Sequence, residues 1–227
     1  MIIDSYSTDE TLKIAATYPQ VEVFQRKFDT HTNQWNYGLK QVNTGWVLSL
    51  DADYVLTDEL INELDYLQPV DSIDGYFIQF QYCVFGKPLR GTILPSRQML
   101  FRKSNATYVD DGHTQLLSVK RGSASLSATV LHDDRKPLSR WLWAQDRYMI
   151  IEAEKLLGTP DAGLSLGDRL RKRKVIAPFV VFVYCLFLKG GILDGWRGWY
   201  YAFQRMFAET LLSLRLIEIS MNNKSLS

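Results

Sequence analysis

Short apolar runs alternate along the chain with polar turns and amphipathic stretches. Residues 1–4 (MIID) form an apolar run ending in a carboxylate. A polar turn follows, Ser5-Tyr6-Ser7-Thr8, and then 9–18, where Leu12, Ala15 and Ala16 supply the inner face of a helix. Residues 21–24 alternate as a strand does, 29–34 read as a polar loop, 36–42 as a helix and 46–50 (WVLSL) as an apolar strand. Segment 57–67 reads as a helix capped by Thr57 or Asp58 with Glu59 in its first turn. Residues 75–85 alternate aromatic and polar groups, which predicts a strand with one wetted face. Two more strands are expected at 98–102 and 128–132, and a helix at 139–157 with Trp141, Tyr148 and Ile151 near one face. Strands alternating with helices predict an α/β fold built on a mostly parallel, mixed sheet.

After Gly158-Thr159-Pro160 the pattern changes. Five of the six positions at 169–174 are basic, and 175–188 is an uncharged run of 14 residues. As a helix that run covers about 21 Å, too short for a bilayer core but long enough to lie in its interface. From residue 194 a second amphipathic helix sets Trp196, Trp199, Tyr200, Phe203, Phe207, Leu211 and Leu214 on one side, with Arg197, Gln204, Arg205 and Glu209 on another. The chain is thereby expected to divide into 1–157, an α/β domain, and 158–227, a helical tail.

Charge sharpens that division. The net charge of +1 hides 16 Lys+Arg against 21 Asp+Glu in 1–165 and 10 against 4 in 166–227. A basic, aromatic, amphipathic tail fits a helix lying on an anionic membrane, with Arg169, Arg171, Lys172, Arg173 and Lys174 as the expected contacts. Nucleic acid is disfavoured as a partner, because the basic run precedes a continuous apolar segment instead of interleaving with stacking aromatics. Cys83 and Cys185 fit no disulfide framework or zinc knuckle. With no signal-like start and no apolar run of about 18 residues, the expected location is cytoplasmic, peripheral on the inner face of the cytoplasmic membrane.

The clearest chemical signal is Leu48-Ser49-Leu50-Asp51-Ala52-Asp53. A strand ending in two carboxylates puts them at the sheet edge where α/β folds bind ligands. Their mutual repulsion favours a hard divalent cation, which in turn bridges to substrate phosphates. Asp4-Ser5-Tyr6-Ser7-Thr8-Asp9 follows another strand end and offers hydroxyls and carboxylates to a ribose or base. On its letters alone, Asp110-Asp111 reads as a turn before Gly112, and His132 as either a hydrogen-bonding group or a ligand. Arg135, Arg140 and Trp141 could bind diphosphate or acceptor, since Arg clamps phosphate with two parallel bonds; helix capping and salt bridging account for the same letters. Residues 51–56 (DADYVL) also admit a haloacid-dehalogenase-like phosphatase, with Asp51 as covalent nucleophile and Asp53 as acid/base. That box normally lies on the first strand, and here strands precede it.

Asp-Ser-x-Ser-Thr-Asp-x-Thr at 4–11 and Trp-Val-Leu-Ser-Leu-Asp-Ala-Asp at 46–53 resemble the family 2 glycosyltransferases, inverting enzymes with the GT-A nucleotide-sugar fold. The second motif is similar to the lipopolysaccharide-core and lipid-linked-glycan branches. Asp110-Asp111-Gly112-His113-Thr114-Gln115 and His132-Asp133-Asp134-Arg135 resemble a membrane-associated bacterial subgroup. The resemblance implies transfer of a sugar from a nucleotide-sugar donor to a lipid-linked, lipopolysaccharide or other cell-envelope glycan acceptor. It implies that Asp4, Ser5, Ser7 and Asp9 hold the nucleoside, with Asp51 near the ribose. Asp53 and His132 would ligate Mn²⁺ or Mg²⁺, and Asp111, or alternatively Asp110, would be the general base. Family members begin with a further strand and helix before the Asp-Ser motif, so the chain is expected to lack both. A noncatalytic, membrane-bound homologue is the alternative that this implies. Gln34-Trp35-Asn36 stands where related core transferases often have Gln-Lys-Asn.

Overall fold

The computed structural model describes residues 1–111 and 114–225, with the side chains of 111, 114 and 223–225 left aside. In chain order the strands are β1 (Ile2–Asp4), β2 (Val23–Gln25), β3 (Trp46–Leu48), β4 (Tyr54–Leu56), β5 (Ile73–Val84), β6 (Lys87–Pro88), β7 (Arg97–Arg102), β8 (Ala106–Asp111), β9 (Thr114–Val119) and β10 (Gly122–His132). The α-helices are α1 (Thr11–Ala16), α2 (His31–Gln41), α3 (Asp58–Asp65), α4 (Leu138–Gly158), α5 (Leu166–Lys172), α6 (Ala177–Val183) and α7 (Trp196–Ser225). The chain forms two compact units. One is built from Met1–Ser49, Pro69–Phe77 and Gln98–Ser125, and the other from Leu50–Gln68, Ile78–Arg97 and Leu126–Ser227.

In the first unit β1 and β2 pair in parallel, Ile2 opposite Val23 and Asp4 opposite Gln25, with α1 in the crossover. α2 begins at Thr30, whose hydroxyl accepts from the Asn33 amide at 3.2 Å. It starts five residues before the expected helix, because that cap lies inside the stretch read as loop. Asn36 fastens α2 to β8: its side chain donates to the Tyr108 carbonyl at 2.9 Å and accepts from the Tyr108 amide at 3.0 Å. Phe101, Tyr108 and Leu117 form the buried centre, with Trp35, Leu39 and Val47 against them. Antiparallel pairing joins β3 to β7 and β8 to β9.

In the second unit β4 pairs antiparallel with β10, Tyr54 opposite His132 and Leu56 opposite Val130. Thr57 caps α3 as expected, accepting from the Leu60 amide, and donates its hydroxyl proton to the Thr129 carbonyl. Glu63 accepts from the amides of Ser127 and Ala128, tying α3 to β10. No unit boundary falls at 157/158: Ala153 and Leu156 of α4 pack in one core with Leu164, Leu212 and Leu216. A second core joins Val84 and Leu89 to Cys185, Leu186, Tyr201 and Ala202. Pro178 stands at the start of α6, where its missing N–H costs nothing. The uncharged run ends in a π turn at Tyr184–Leu188, and a 3₁₀ turn follows at Gly191–Asp194. A Cβ on Gly198 would collide with the Gly191 carbonyl, so glycine there lets α7 lie against that turn.

The α/β class stands, but the strands run more antiparallel than expected. Among the pairings described by register, only β1–β2 is parallel. For β5–β6 the physical reason is connection length: a turn of two residues joins them, which only antiparallel neighbours allow.

Candidate functional site

In the second unit, the Asp51-Ala52-Asp53 stretch turns directly into β4, with the Tyr54 amide bonded back to the Asp51 carbonyl at 3.1 Å. Antiparallel pairing with β10 carries Asp53 across from the end of that strand, where the Asp133 amide donates to the Asp53 carbonyl at 3.0 Å. The side chains follow: Asp53 Oδ2 lies 3.3 Å from His132 Nε2. Asp134 joins them, and donor atoms from the three residues all lie within 4.8 Å of one another. Lys136 Nζ sits 3.2 Å from Asp134 Oδ1 and 3.8 Å from Asp53 Oδ2.

The surroundings are aromatic. The rings of Tyr54, Phe80 and Tyr82 stand 5.2, 5.7 and 5.2 Å from the His132 ring. Burial opposes the charge of Asp53, but His132 and the Lys136 ammonium outweigh it and hold its carboxyl below the ordinary value. Burial, helped by the neighbouring Asp51 carboxylate, pushes the Tyr54 phenol far up. Among the described residues, Asp53 Oδ1 and His132 Nδ1 are buried without a hydrogen-bond partner. Buried polar atoms left so are costly unless another group satisfies them. Two carboxylates and an imidazole are a donor set for a divalent cation such as Mn²⁺, so the residues fit a metal.

Asp134 and Lys136 were not singled out from the sequence. β10 ends at His132, so no strand period extends over Asp133-Asp134-Arg135-Lys136, yet the contacts alternate: 132, 134 and 136 meet at Asp53, whereas Arg135 Nε donates to Asp133 Oδ2 at 2.6 Å and Asp133 accepts from the Gly86 amide. Asp51 stands outside the metal-ligand group. Arg135 is thus pinned to Asp133, Arg140 stacks its guanidinium on Trp143 at 4.5 Å, and Trp141 packs against Phe207.

In the first unit, the carboxyl ends of β1 and β2 carry a polar loop. Asp4 is buried and accepts from the Tyr6 and Ser7 amides, the Ser7 hydroxyl and Gln25 Nε2. Gln25 foremost, then Ser7, holds its carboxyl below the ordinary value. Asp4 and Ser7 therefore act on each other and shape the loop, with Tyr6 at φ +64°. Asp9 accepts from the Thr11 amide at the start of α1. Ser5 accepts from Gln34 Nε2 at 3.2 Å, Gln34 accepts from Arg26, and Arg26 forks onto Asp29 with two bonds of 2.8 Å. Arg26 and Asp29 escaped the sequence reading because no motif contains them. Asp110 is exposed, opposite Gln115 in the β8–β9 hairpin. Asp111 ends β8, but its side chain, like the whole of His113, lies outside the described residues.

The five basic residues expected to face a membrane go different ways. Arg171 turns inward to buried Glu209 at 2.8 Å, with Asp168 at 3.2 Å. Lys172 bonds the Thr159 carbonyl and Asp161, and Lys174 donates to Ser220. Arg169 and Arg173 are exposed.

Residues 1–119 match the profile described as Glycosyl transferase family 2. Among solved structures, S. aureus TarS 1–349 in complex with UDP-GlcNAc is 16% identical, with 98% of this chain and 82% of that one covered at a TM-score of 0.44. The same protein in complex with UDP is 15% identical over the same shares at 0.40. No curated protein matches.

Proposed function

Because the chain belongs to glycosyl transferase family 2 and is a glycosyltransferase, we propose that it moves a sugar from a nucleotide-sugar donor to a lipid-linked, lipopolysaccharide or other cell-envelope glycan acceptor, with inversion and a divalent cation. Membership of that family argues against the phosphatase reading, and the turnover assay below separates a catalyst from a noncatalytic homologue. The observation that carries the metal-dependent reading is the cluster of Asp53, His132 and Asp134 with its two unpartnered buried atoms. A cation held there, Mn²⁺ or Mg²⁺, would offset the charge that develops on the departing nucleoside diphosphate. The aromatic wall of Tyr54, Phe80 and Tyr82 keeps His132 oriented and reduces water around it. Asp4, Ser5, Ser7 and Asp9 are assigned to the nucleoside, with Asp4 acting by holding the loop, and Asp51 to the ribose. Asp111, with Asp110 as the alternative, takes the proton from the acceptor hydroxyl as its oxygen bonds to the anomeric carbon and the carbon–phosphate-oxygen bond breaks. Attack opposite the leaving group inverts that carbon. Arg135 is the phosphate contact we favour over Arg140 and Trp141, because its side chain, though bonded to Asp133 through Nε, stays 75% exposed with the rest of its guanidinium fork free to reach solvent.

The test is release of nucleoside diphosphate from a panel of nucleotide sugars, with a bacterial lipid extract as acceptor source. Release that needs Mn²⁺ or Mg²⁺ and falls on the order of 10²-fold or more in Asp53→Asn supports the reading. Turnover undiminished in excess chelator would remove the metal, and an absence of turnover or thermal shift with every nucleotide sugar would remove the donor class.

A further inference from the structure

The uncharged run and the start of α7 leave the second unit with a surface that no described residue covers. Leu188, Leu193, Phe179 and Trp196 are 75, 65, 60 and 57% exposed, far more than scattered surface apolars require. The surface is continuous. α6, the π turn and the 3₁₀ turn all pack on α7. The Phe85 ring, itself exposed, meets Trp196 at 5.6 Å, and Phe182, Trp199 and Phe203 stack on one another at 5.2–6.0 Å. Trp196, Trp199, Phe203 and Phe207 recur at three- and four-residue steps, on one face of α7. The opposite face is already occupied by the cores that hold Tyr201, Ala202, Leu212 and Leu216.

Charge indicates what this surface meets. Residues 175–196 contain only two charges, Lys189 and Asp194. Asp194 is neutralised by Arg90, whose side chain lies 3.3 Å away and whose amide also donates to it. The cations remain at the margin: Lys189 beside Tyr184 and Arg197 stacked on Trp196 at 4.6 Å. Tryptophan and tyrosine bordered by lysine and arginine suit the headgroup layer of an anionic bilayer. The same margin would repel a second copy of the chain, which carries the same cations. No helix among the described residues is long and apolar enough to cross a membrane, so the contact would lie in the plane of the surface.

We propose that this aromatic face, from α6 through the first turns of α7, is the docking surface for anionic lipid, and that the run at 169–174 is not. The sequence favoured that run for its charge, but Arg171, Lys172 and Lys174 are held by internal partners. The placement deepens the lipid-acceptor reading, on which its functional sense rests. Vesicle binding is nevertheless read without donor or metal, so failure of either idea is distinguishable from failure of the other.

The full chain is floated with phosphatidylcholine vesicles with and without phosphatidylglycerol. Co-flotation confined to the phosphatidylglycerol vesicles is expected, falling by more than about tenfold in the double variant Leu188→Glu/Leu193→Glu. Both positions are exposed, so the melting temperature should hold. Tyr66→Glu, at an equally exposed site on the C-cap of α3, should float as the parent does. Absence of flotation, or flotation unchanged in the double variant, would overturn the proposal. So would light scattering that shows a dimer which the same double variant splits, because the face would then join two copies.

Discussion

Asp4 shows how one buried side chain can shape a loop from within. Its bonds to Gln25, Ser7 and the two amides lower its carboxyl, so their stabilisation is present above the ordinary value of 3.8 and is lost as pH falls through the lower folded value. Asp4→Asn is expected to cost about 1–3 kcal/mol at neutral pH. Thermal melts of parent and variant should converge as the pH falls from 3.8 through the lower folded value. Lys136 makes the opposite kind of prediction. Its ammonium lies against both Asp53 and Asp134, where a cation would bind, so the two compete. Lys136→Gln should tighten Mn²⁺ binding roughly fivefold, the ~1 kcal/mol that like charges about 4 Å apart cost in water, as read by titration calorimetry of Mn²⁺ alone. Weaker binding in the variant would show that Lys136 supports the site. Asp53 stood out in the sequence because it follows an apolar strand end, whereas His132 was assigned as a ligand only through the family resemblance. Asp134 and Lys136 were hidden in a run of charges whose alternation acquires meaning only once β10 is known to end at His132.

At the scale of elements, periodicity found α3, α4 and α7 and most strands, with ends displaced by a few residues. It missed β4 and the β8–β9 hairpin, where polar and apolar residues do not alternate cleanly and pairing with a neighbour determines the strand. The basic run at 169–174 was read from its charge as a membrane contact, but α5 uses Arg171 of that run to neutralise Glu209, which is 3% exposed on α7. A charge buried this far is costly when its partner is removed. Arg171→Met should therefore destabilise the protein by about 3 kcal/mol. Adding Glu209→Leu should recover most of the loss, since a packed apolar pair replaces an ion pair at little cost. Chemical denaturation of the single and double variants measures both effects, and a double variant no better than the single would refute the account.

The whole molecule has two cysteines, both buried and both unpaired. Burial pushes the Cys185 thiol up to about 11 and raises Cys83 as well, so both stay protonated and out of reach. A thiol reagent at pH 8 should label neither in the native protein and both in denaturant, and the labelling rate in between reports how often the fold opens. The charge asymmetry and the α/β class were visible at this scale in the sequence. The division into two units was not, because it depends on which distant segments meet. It also has a consequence for the order in which the protein can be made. The chain passes from one unit to the other five times, at 49/50, 68/69, 77/78, 97/98 and 125/126. A ribosome must therefore deliver residue 125 before the first unit holds all its parts, and nearly the whole chain before the second does. No single cut frees either unit as one continuous piece, so limited proteolysis should leave nicked, associated protein and no separable fragment that folds alone.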